Sequence, residues 1–412
     1  MKLVHAADIH LDSPMRGLAA YDGAPERELR GATREALRNL VDLCIGERAD
    51  ALLIAGDLYD GDWQDYGTGA FFAREAARLR EAGIPVVLIR GNHDAASRIT
   101  RSLRLPDNVR ELPVDRPGTV AFDDLGLAVH GQGYAKREVL EDLSAGYPRP
   151  VPGMVNVGLL HTSADGREGH APYAPCKVGR LAEHGYDYWA LGHVHQRELL
   201  HADPPILFSG CLQGRHARET GPKGATIVSF NGRRPTLEER ALDVVRWEVL
   251  EIDAGPLGDL DEVLDAIERS LRDAVEGADG RLLAARIRVT GATTAHGALG
   301  AAERFDAQVR ELAGEVALDQ AWVERVVVRT RPLREPPEEA DDALAELRRA
   351  LDNARADDGA LGTLGAELEE LVGKLPPEVR DEWDPTDPAV LRELLDDVAR
   401  TLPAALLGGG SE

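Results

Sequence analysis

The run Leu3-Val4-His5-Ala6-Ala7-Asp8-Ile9-His10 decides how this chain folds. A short, mostly apolar run breaks into Asp-x-His, as a buried strand does when it delivers polar side chains at its carboxyl end. The pattern recurs. Residues 51–55 end in Gly56-Asp57, residues 86–89 lead to Gly91-Asn92-His93-Asp94, residues 156–160 end in His161, and residues 188–191 end in Gly192-His193-Val194-His195. Further apolar runs lie at 127–130, 206–208 and 225–230. Helix-like stretches at 25–48 and 68–82 separate the first three runs, which predicts α/β layers with helices covering a sheet. The later runs lack long helices between them, which predicts a mixed sheet or two packed sheets.

The pattern changes beyond residue 230. Residues 244–252, 261–276 and 282–290 read as strand, helix, strand, and 301–313 and 323–328 repeat helix then strand. This is a small α/β module. The run Arg331-Pro332-Leu333-Arg334-Glu335-Pro336-Pro337 is a break. Past it, helical patterns occupy 338–356, 361–375 and 388–402, with apolar spacing such as Leu344, Leu347 and Leu351. Three regions are therefore expected: 1–235, 244–332 and an acidic helical 338–412. That count suits 412 residues at roughly 100–200 per domain.

Hydrophobic residues at 43% and charged residues at 29% fit a globular chain and exclude a disordered one. The apolar runs are far short of a membrane span. The amino terminus is too polar for a signal peptide. Cys44, Cys176 and Cys211 are scattered with no C-x-x-C pair, so neither a disulfide framework nor a zinc knuckle is expected. A soluble, cytoplasmic protein is the expectation. The net charge of −24 is uneven: residues 251–412 carry 37 acidic and 18 basic side chains, and residues 1–250 carry 35 and 30. The acidity sits mostly away from the strand-end motifs and does not exclude a polyanionic substrate. No Walker A sequence occurs.

Ligand sites in open α/β sheets form outside the carboxyl ends of strands. Residues two apart in an extended chain point the same way, so Asp8 and His10 can reach one site, as can His193 and His195. Hard carboxylate and amide oxygens mixed with imidazoles suit a pair of divalent ions such as Mn²⁺. Two ions roughly 3.5–4 Å apart can clamp the oxygens of an in-line displacement at phosphorus, and Asp57 is the natural bridge. Any one of these side chains alone would read as a helix cap, a turn or a core histidine. His5, His130, His170, His184, His201 and His296 lack such company and read as core or surface residues. Cys211 reads as a small buried residue.

Taken in order, D-x-H, G-D, G-N-H-D, a lone H and G-H-x-H resemble the calcineurin-like metallophosphoesterase superfamily over residues 1 to about 230. His10-Leu11-Asp12-Ser13-Pro14, Gly56-Asp57-Leu58-Tyr59-Asp60-Gly61, and Gly210-Cys211-Leu212-Gln213-Gly214-Arg215-His216 before Gly221-Pro222-Lys223-Gly224 are similar to the SbcD-type DNA-repair nuclease branch and its YhaO-like subfamily. The resemblance implies a four-layer α/β/β/α sandwich, a small α/β cap domain and a C-terminal helical segment. It implies one ion held by Asp8, His10, Asp57 and His195, and a second held by Asp57, Asn92, His161 and His193. It implies His93 beside the scissile phosphate, protonating the leaving oxygen or stabilising its charge, and Asp94 orienting that imidazole. Asp60 stands where purple acid phosphatases place a tyrosinate ligand and where some DNA-repair relatives place a histidine.

The leading expectation is a Mn²⁺-dependent DNA phosphodiesterase, an exo- or endonuclease of the repair type, with phosphate contacts from Arg16, Arg90, Arg98, Arg101 and Arg215. Two alternatives stay open on the sequence: a small-molecule (nucleotide) phosphodiesterase, and an interaction subunit for an SMC-like coiled-coil ATPase. The relatives suggest that ATPase as a partner of the acidic C-terminal helices. They also suggest a homodimer formed through helices in the first 80 residues.

Overall fold

The structure is a computed structural model that describes residues 1–13, 24–60, 66–96, 105–165, 173–232, 234–300, 302–333 and 342–374, with scattered residues of 387–399. The chain divides into two compact units, Met1–Leu333 and Arg334–Glu412.

In chain order the first unit contains β1 (Lys2–Ala6), α1 (Glu26–Gly46), β2 (Ala51–Ile54), α2 (Tyr66–Glu81), β3 (Val86–Leu88), α3 (Asn92–Ala96), β4 (Val109–Glu111), β5 (Gly118–Phe122), β6 (Leu127–Gly131) and β7 (Val155–His161). It continues with α4 (Val178–Glu183), β8 (Tyr188–Gly192), β9 (Glu198–Ala202), β10 (Pro205–Phe208), β11 (Gly224–Phe230) and β12 (Pro235–Ala241). Two six-stranded sheets result, ordered β12-β11-β1-β2-β3-β4 and β5-β6-β7-β8-β10-β9. Both are mixed. In the first, β1 to β4 run parallel, β11 runs antiparallel to β1, and β12 antiparallel to β11. In the second, β6, β7, β8 and β10 run parallel while β5 and β9 are antiparallel.

Alternation along each strand explains the layering. Val4, Leu52, Ile54 and Val86 point outward and are covered by Leu37, Leu40 and Val41 of α1 and Phe72, Ala76 and Leu79 of α2. Leu3, Leu53 and Val87 point inward and meet Val129, Val157, Leu159, Tyr188 and Leu207 of the second sheet. That sheet's outer face, with Leu160, Trp189, Leu191, Ile206 and Phe208, is covered by Leu181 of α4. The order is α/β/β/α. Interior strands buried on both faces read as continuous apolar runs, which is why they stood out in the sequence. In β7, Gly158 lies under the indole of Trp189; a Cβ there would sit 2.3 Å from the ring.

Four strands were not anticipated: β4, β5, β9 and β12. They are the four edge strands of the two sheets. Three of them, β5, β9 and β12, expose side chains along much of their length, and β4 has only three residues, so none forms an apolar run.

The rest of the unit is β13 (Val245–Asp253), α5 (Leu260–Gly277), β14 (Leu282–Thr293), α6 (Ala302–Ala317) and β15 (Ala321–Pro332), a three-stranded parallel sheet ordered β13-β14-β15. Asp259 caps α5 by accepting from the Glu262 N–H at 3.0 Å, and Val263, Ile267 and Leu271 form its buried stripe. The module joins the sandwich through Trp247, Trp322 and Ala284, which pack with Leu29 and Ala32 of α1 and with Ala217. The second unit contains α7 (Asp342–Ala356) and α8 (Asp358–Lys374). Leu347 and Leu351 are half-buried, and the side chain of Leu344 lies outside the described ones. No helix among the described residues is long and apolar enough to cross a membrane.

Buried between the sheets, His5 shares a 2.8 Å hydrogen bond with the Tyr188 hydroxyl. Burial pushes its pKa from 6.5 down to about 3. The unfolded chain therefore binds a proton through that window that the fold refuses, and stability falls as pH drops from 6.5 towards 3. The urea midpoint is expected to fall between pH 7 and pH 4.5, and His5→Leu to reduce that fall. An unchanged fall in the variant would contradict this assignment.

Candidate metal centre

The loops leaving β1, β2, β3, β7 and β8 converge on one rim of the sandwich. Three of the residues there hold left-handed backbone although they are not glycine: Asp8 (φ 50°), His10 (φ 45°) and Asp57 (φ 52°). His193, at φ 103°, is also unusual. Backbone strain of this kind persists where surrounding contacts over-determine it, commonly at functional sites. Those contacts are visible. The Asp8 N–H donates to Gly56 O and the His10 N–H to Asp57 O, each at 3.0 Å. The His193 N–H donates to the Asp8 carboxylate at 3.0 and 3.1 Å.

The seven side chains expected as ligands lie together at this rim. Asp8, His10 and His195 place donor atoms within 4.8 Å of one another, as do Asp8, Asp57 and His161. His10 Nε2 and His195 Nε2 face each other at 3.3 Å. Asp57 Oδ2 lies 3.4 Å from His161 Nε2 and 3.9 Å from His10 Nε2, reaching both halves of the site. His161 Nε2 is 2.9 Å from Asn92 Oδ1, and its Nδ1 is fixed by Ala55 O at 2.9 Å. The His193 ring lies against His161, with centroids 5.2 Å apart. Buried carboxylates opposed by imidazole nitrogens, two of them nose to nose, fit a pair of divalent cations.

The electrostatics follow from burial. Asp8 is raised by desolvation, with the Asp57 charge adding to it. Desolvation also opposes the charge on Asp57, but His161 and His93 outweigh it and hold the carboxyl well below its ordinary range. His161 is lowered by burial yet raised further by Asp57, to about 9.

The structure places two groups of the predicted site residues in contacts of their own. The carboxylate on the His93 ring is Asp60, with Oδ1 2.9 Å from Nδ1. Asp94 instead accepts from the N–H groups of Leu58 (3.2 Å), Tyr59 (2.8 Å) and Gly91 (3.0 Å), tying the second and third motif loops together. A strand-to-helix turn that buries several N–H groups needs an acceptor more than the neighbouring imidazole does. The arginines differ too. Arg90 pairs with Glu111. Arg215 donates to Glu219 at 3.0 Å and lies 3.8 Å from Asp60, so its guanidinium faces carboxylates. A largely buried guanidinium requires such a counter-charge. Arg16, Arg98 and Arg101 lie outside the described residues.

Asp60 and Glu219 were missed as participants. Asp60 stood in the sequence three residues after Asp57, and Glu219 four after Arg215, but nothing in the spacing shows which ring each would meet. Glu219 Oε1 is 2.5 Å from His195 Nδ1. The histidines set aside have ordinary partners: His130 sits between Thr119 and Asn156, His184 on Pro148 O, His201 on Pro204 O and His296 on Thr330. His170 lies outside the described residues. Cys211 is fully buried, which pushes its thiol well up.

Comparison with known proteins gives two family matches: calcineurin-like phosphoesterase over residues 1–197, and the middle domain of metallophosphoesterase YhaO over residues 247–331. An uncharacterized metallophosphoesterase YhaO of Bacillus subtilis is 33% identical over 273 residues, 65% of this chain and 67% of that protein. A DNA double-strand break repair protein Mre11 of Sulfurisphaera tokodaii is 28% identical, over 54% of this chain and 60% of the relative, less than two thirds of its length. An Mre11 of Aeropyrum pernix is 26% identical over 66% of this chain and 67% of the relative.

Because Asp94 accepts from three N–H groups, Asp94→Asn must set its NH₂ against at least one donor. The substitution is expected to cost roughly 1–3 kcal/mol, measured by chemical denaturation of the metal-free protein. A cost near zero would show that the three amides do not depend on this carboxylate.

Proposed function

The chain belongs to the calcineurin-like metallophosphoesterase family, with a YhaO-type middle domain, and we propose that it is a Mn²⁺-dependent DNA phosphodiesterase, a nuclease of the repair type. The observation that carries this reading is the cluster at the rim in which the Asp8–His10–His195 and Asp8–Asp57–His161 groups share Asp8, with the His93–Asp60 pair reached through His10. Asp8, His10, Asp57 and His195 would hold one ion, and Asp57, Asn92, His161 and His193 the other. Bound there, the ions would supply Lewis-acid polarisation of the phosphate and neutralise charge in the transition state. Mixed carboxylate, amide and imidazole donors favour Mn²⁺ over a thiolate-type zinc site.

The chain's own groups handle the proton. Asp60 holds His93 by Nδ1, which leaves Nε2 as the nitrogen available to substrate. Burial opposes a charge on His93, but Asp57 and Asp60 outweigh it and raise its pKa, so the ring stays protonated to higher pH than a free imidazole. A protonated ring held this way can donate to the leaving oxygen. Asp94 accepts from the amides of Leu58, Tyr59 and Gly91 and so holds the turn that carries His93.

DNA as the substrate is supported by similarity to proteins named for double-strand break repair. In this reading residues 1–235 are the catalytic domain and 244–332 a cap beside it. The acidic residues 338–412, helical at Asp342–Ala356 and Asp358–Lys374, form the surface offered to an SMC-like ATPase, and the catalytic domains pair as a homodimer. Three free, buried cysteines suit a reducing compartment, and we place the protein in the cytoplasm.

End-labelled duplex and single-stranded DNA are the test substrates. Cleavage is expected with Mn²⁺, to be abolished by EDTA, and to fall steeply with salt as phosphate contacts are screened. His93→Ala is expected to lose about 10²–10⁴-fold in rate while still binding two ions. Asp60→Asn should lower the pH at which the protonated ring is lost. Turnover of a small nucleotide diester, unaffected by competing DNA, would overturn the DNA assignment in favour of a nucleotide substrate.

A further inference from the structure

We propose that Glu219 is a positioning residue for the metal-facing nitrogen of His195, clamped in place by Arg215; this rests on the two-ion reading above. Glu219 lies on the segment between β10 and β11 and is almost fully buried. Its Oε1 is 2.5 Å from His195 Nδ1. Its Oε2 accepts from the backbone N–H of Arg215 at 2.7 Å, and the Arg215 guanidinium donates to Oε1 at 3.0 Å. His216 Nε2 also approaches Oε1, at 3.7 Å.

A neutral imidazole carries one proton, and the hydrogen bond made by one nitrogen decides where it sits. An ionised Glu219 can only accept, and at 2.5 Å it lies closer to His195 Nδ1 than the donor-only Arg215 guanidinium at 3.3 Å, so it fixes the His195 proton on Nδ1. That leaves a lone pair on Nε2, the nitrogen that faces His10 Nε2 at 3.3 Å and Asp8 Oδ1 at 3.8 Å. Arg215 balances the Glu219 charge, so the carboxylate gives His195 direction without adding net charge to the centre. The guanidinium also reaches towards Asp60 at 3.8 Å, so its far side faces the carboxylate that holds His93. Outer partners of this kind typically contribute about 10–100-fold to metal affinity.

The test is Mn²⁺ titration of the metal-free full chain by calorimetry, with electron paramagnetic resonance to distinguish single ions from coupled pairs. Wild type is expected to bind two ions and give a coupled signal. Glu219→Ala should weaken one ion by about 10–100-fold and leave the other, so that single-ion spectra dominate at low Mn²⁺. Glu219→Gln, whose amide oxygen can still accept from Nδ1, should weaken the same ion by less, and it keeps the test alive if the alanine variant does not fold. Arg215→Ala should weaken that ion in the same direction. Two ions bound by both Glu219 variants with wild-type affinity would overturn the proposal alone. Loss of both ions together in both variants would also overturn it, because that marks a general structural role. Failure of wild type to bind a pair of ions would overturn the two-ion reading and this proposal with it.

Discussion

At the rim of the sandwich the two sheets come within touching distance of each other, and the site depends on that seam. The carbonyl of Ala55, at the end of β2, accepts from His161 Nδ1 at the end of β7. The same oxygen lies against Gly192 at the end of β8, where a Cβ would sit 2.1 Å away. A glycine is required there by the space left between sheets, whatever its dihedral angles. Opening the seam by the width of a methyl group would part Asp8 and Asp57 on one sheet from His161 and His193 on the other. The cluster is therefore a property of how the sheets pack.

This geometry separates what could be read in the sequence from what could not. Interior strands announce themselves because both faces are buried, and the five strand-end motifs follow directly from them. The four edge strands escaped for the reason that makes them edges: much of their surface meets water, and their composition resembles that of loops. The strand–helix alternation of residues 244–332 was legible because α5 and the parallel strands each keep a clean period, as Val263, Ile267 and Leu271 show.

Within the site, the residues that could be found were those at strand ends, where periodicity fixes direction. Asp60 and Glu219 sit in loops and Asp94 in the short helix α3, where no strand period fixes the direction of a carboxylate. Asp94 follows His93 in sequence, yet its oxygens are taken by the amides of Leu58, Tyr59 and Gly91. Asp60, 33 positions earlier, holds the ring instead. The competing demand of buried backbone donors, invisible in a one-dimensional motif, decided between them.

The place of β1 has a consequence for synthesis of the chain. It is flanked by β2 on one side and by β11, Gly224–Phe230, on the other, and the amino group of Met1 itself bonds to Phe230 O. A nascent chain emerging at about 5–20 residues per second exposes one edge of β1 for on the order of ten seconds or more before the partner strand is made. Leu3 and Val4, among the most apolar positions of the first sheet, lie along that waiting edge. β1 is thus sealed on its second side only when β11, more than two hundred residues later in the chain, has been made.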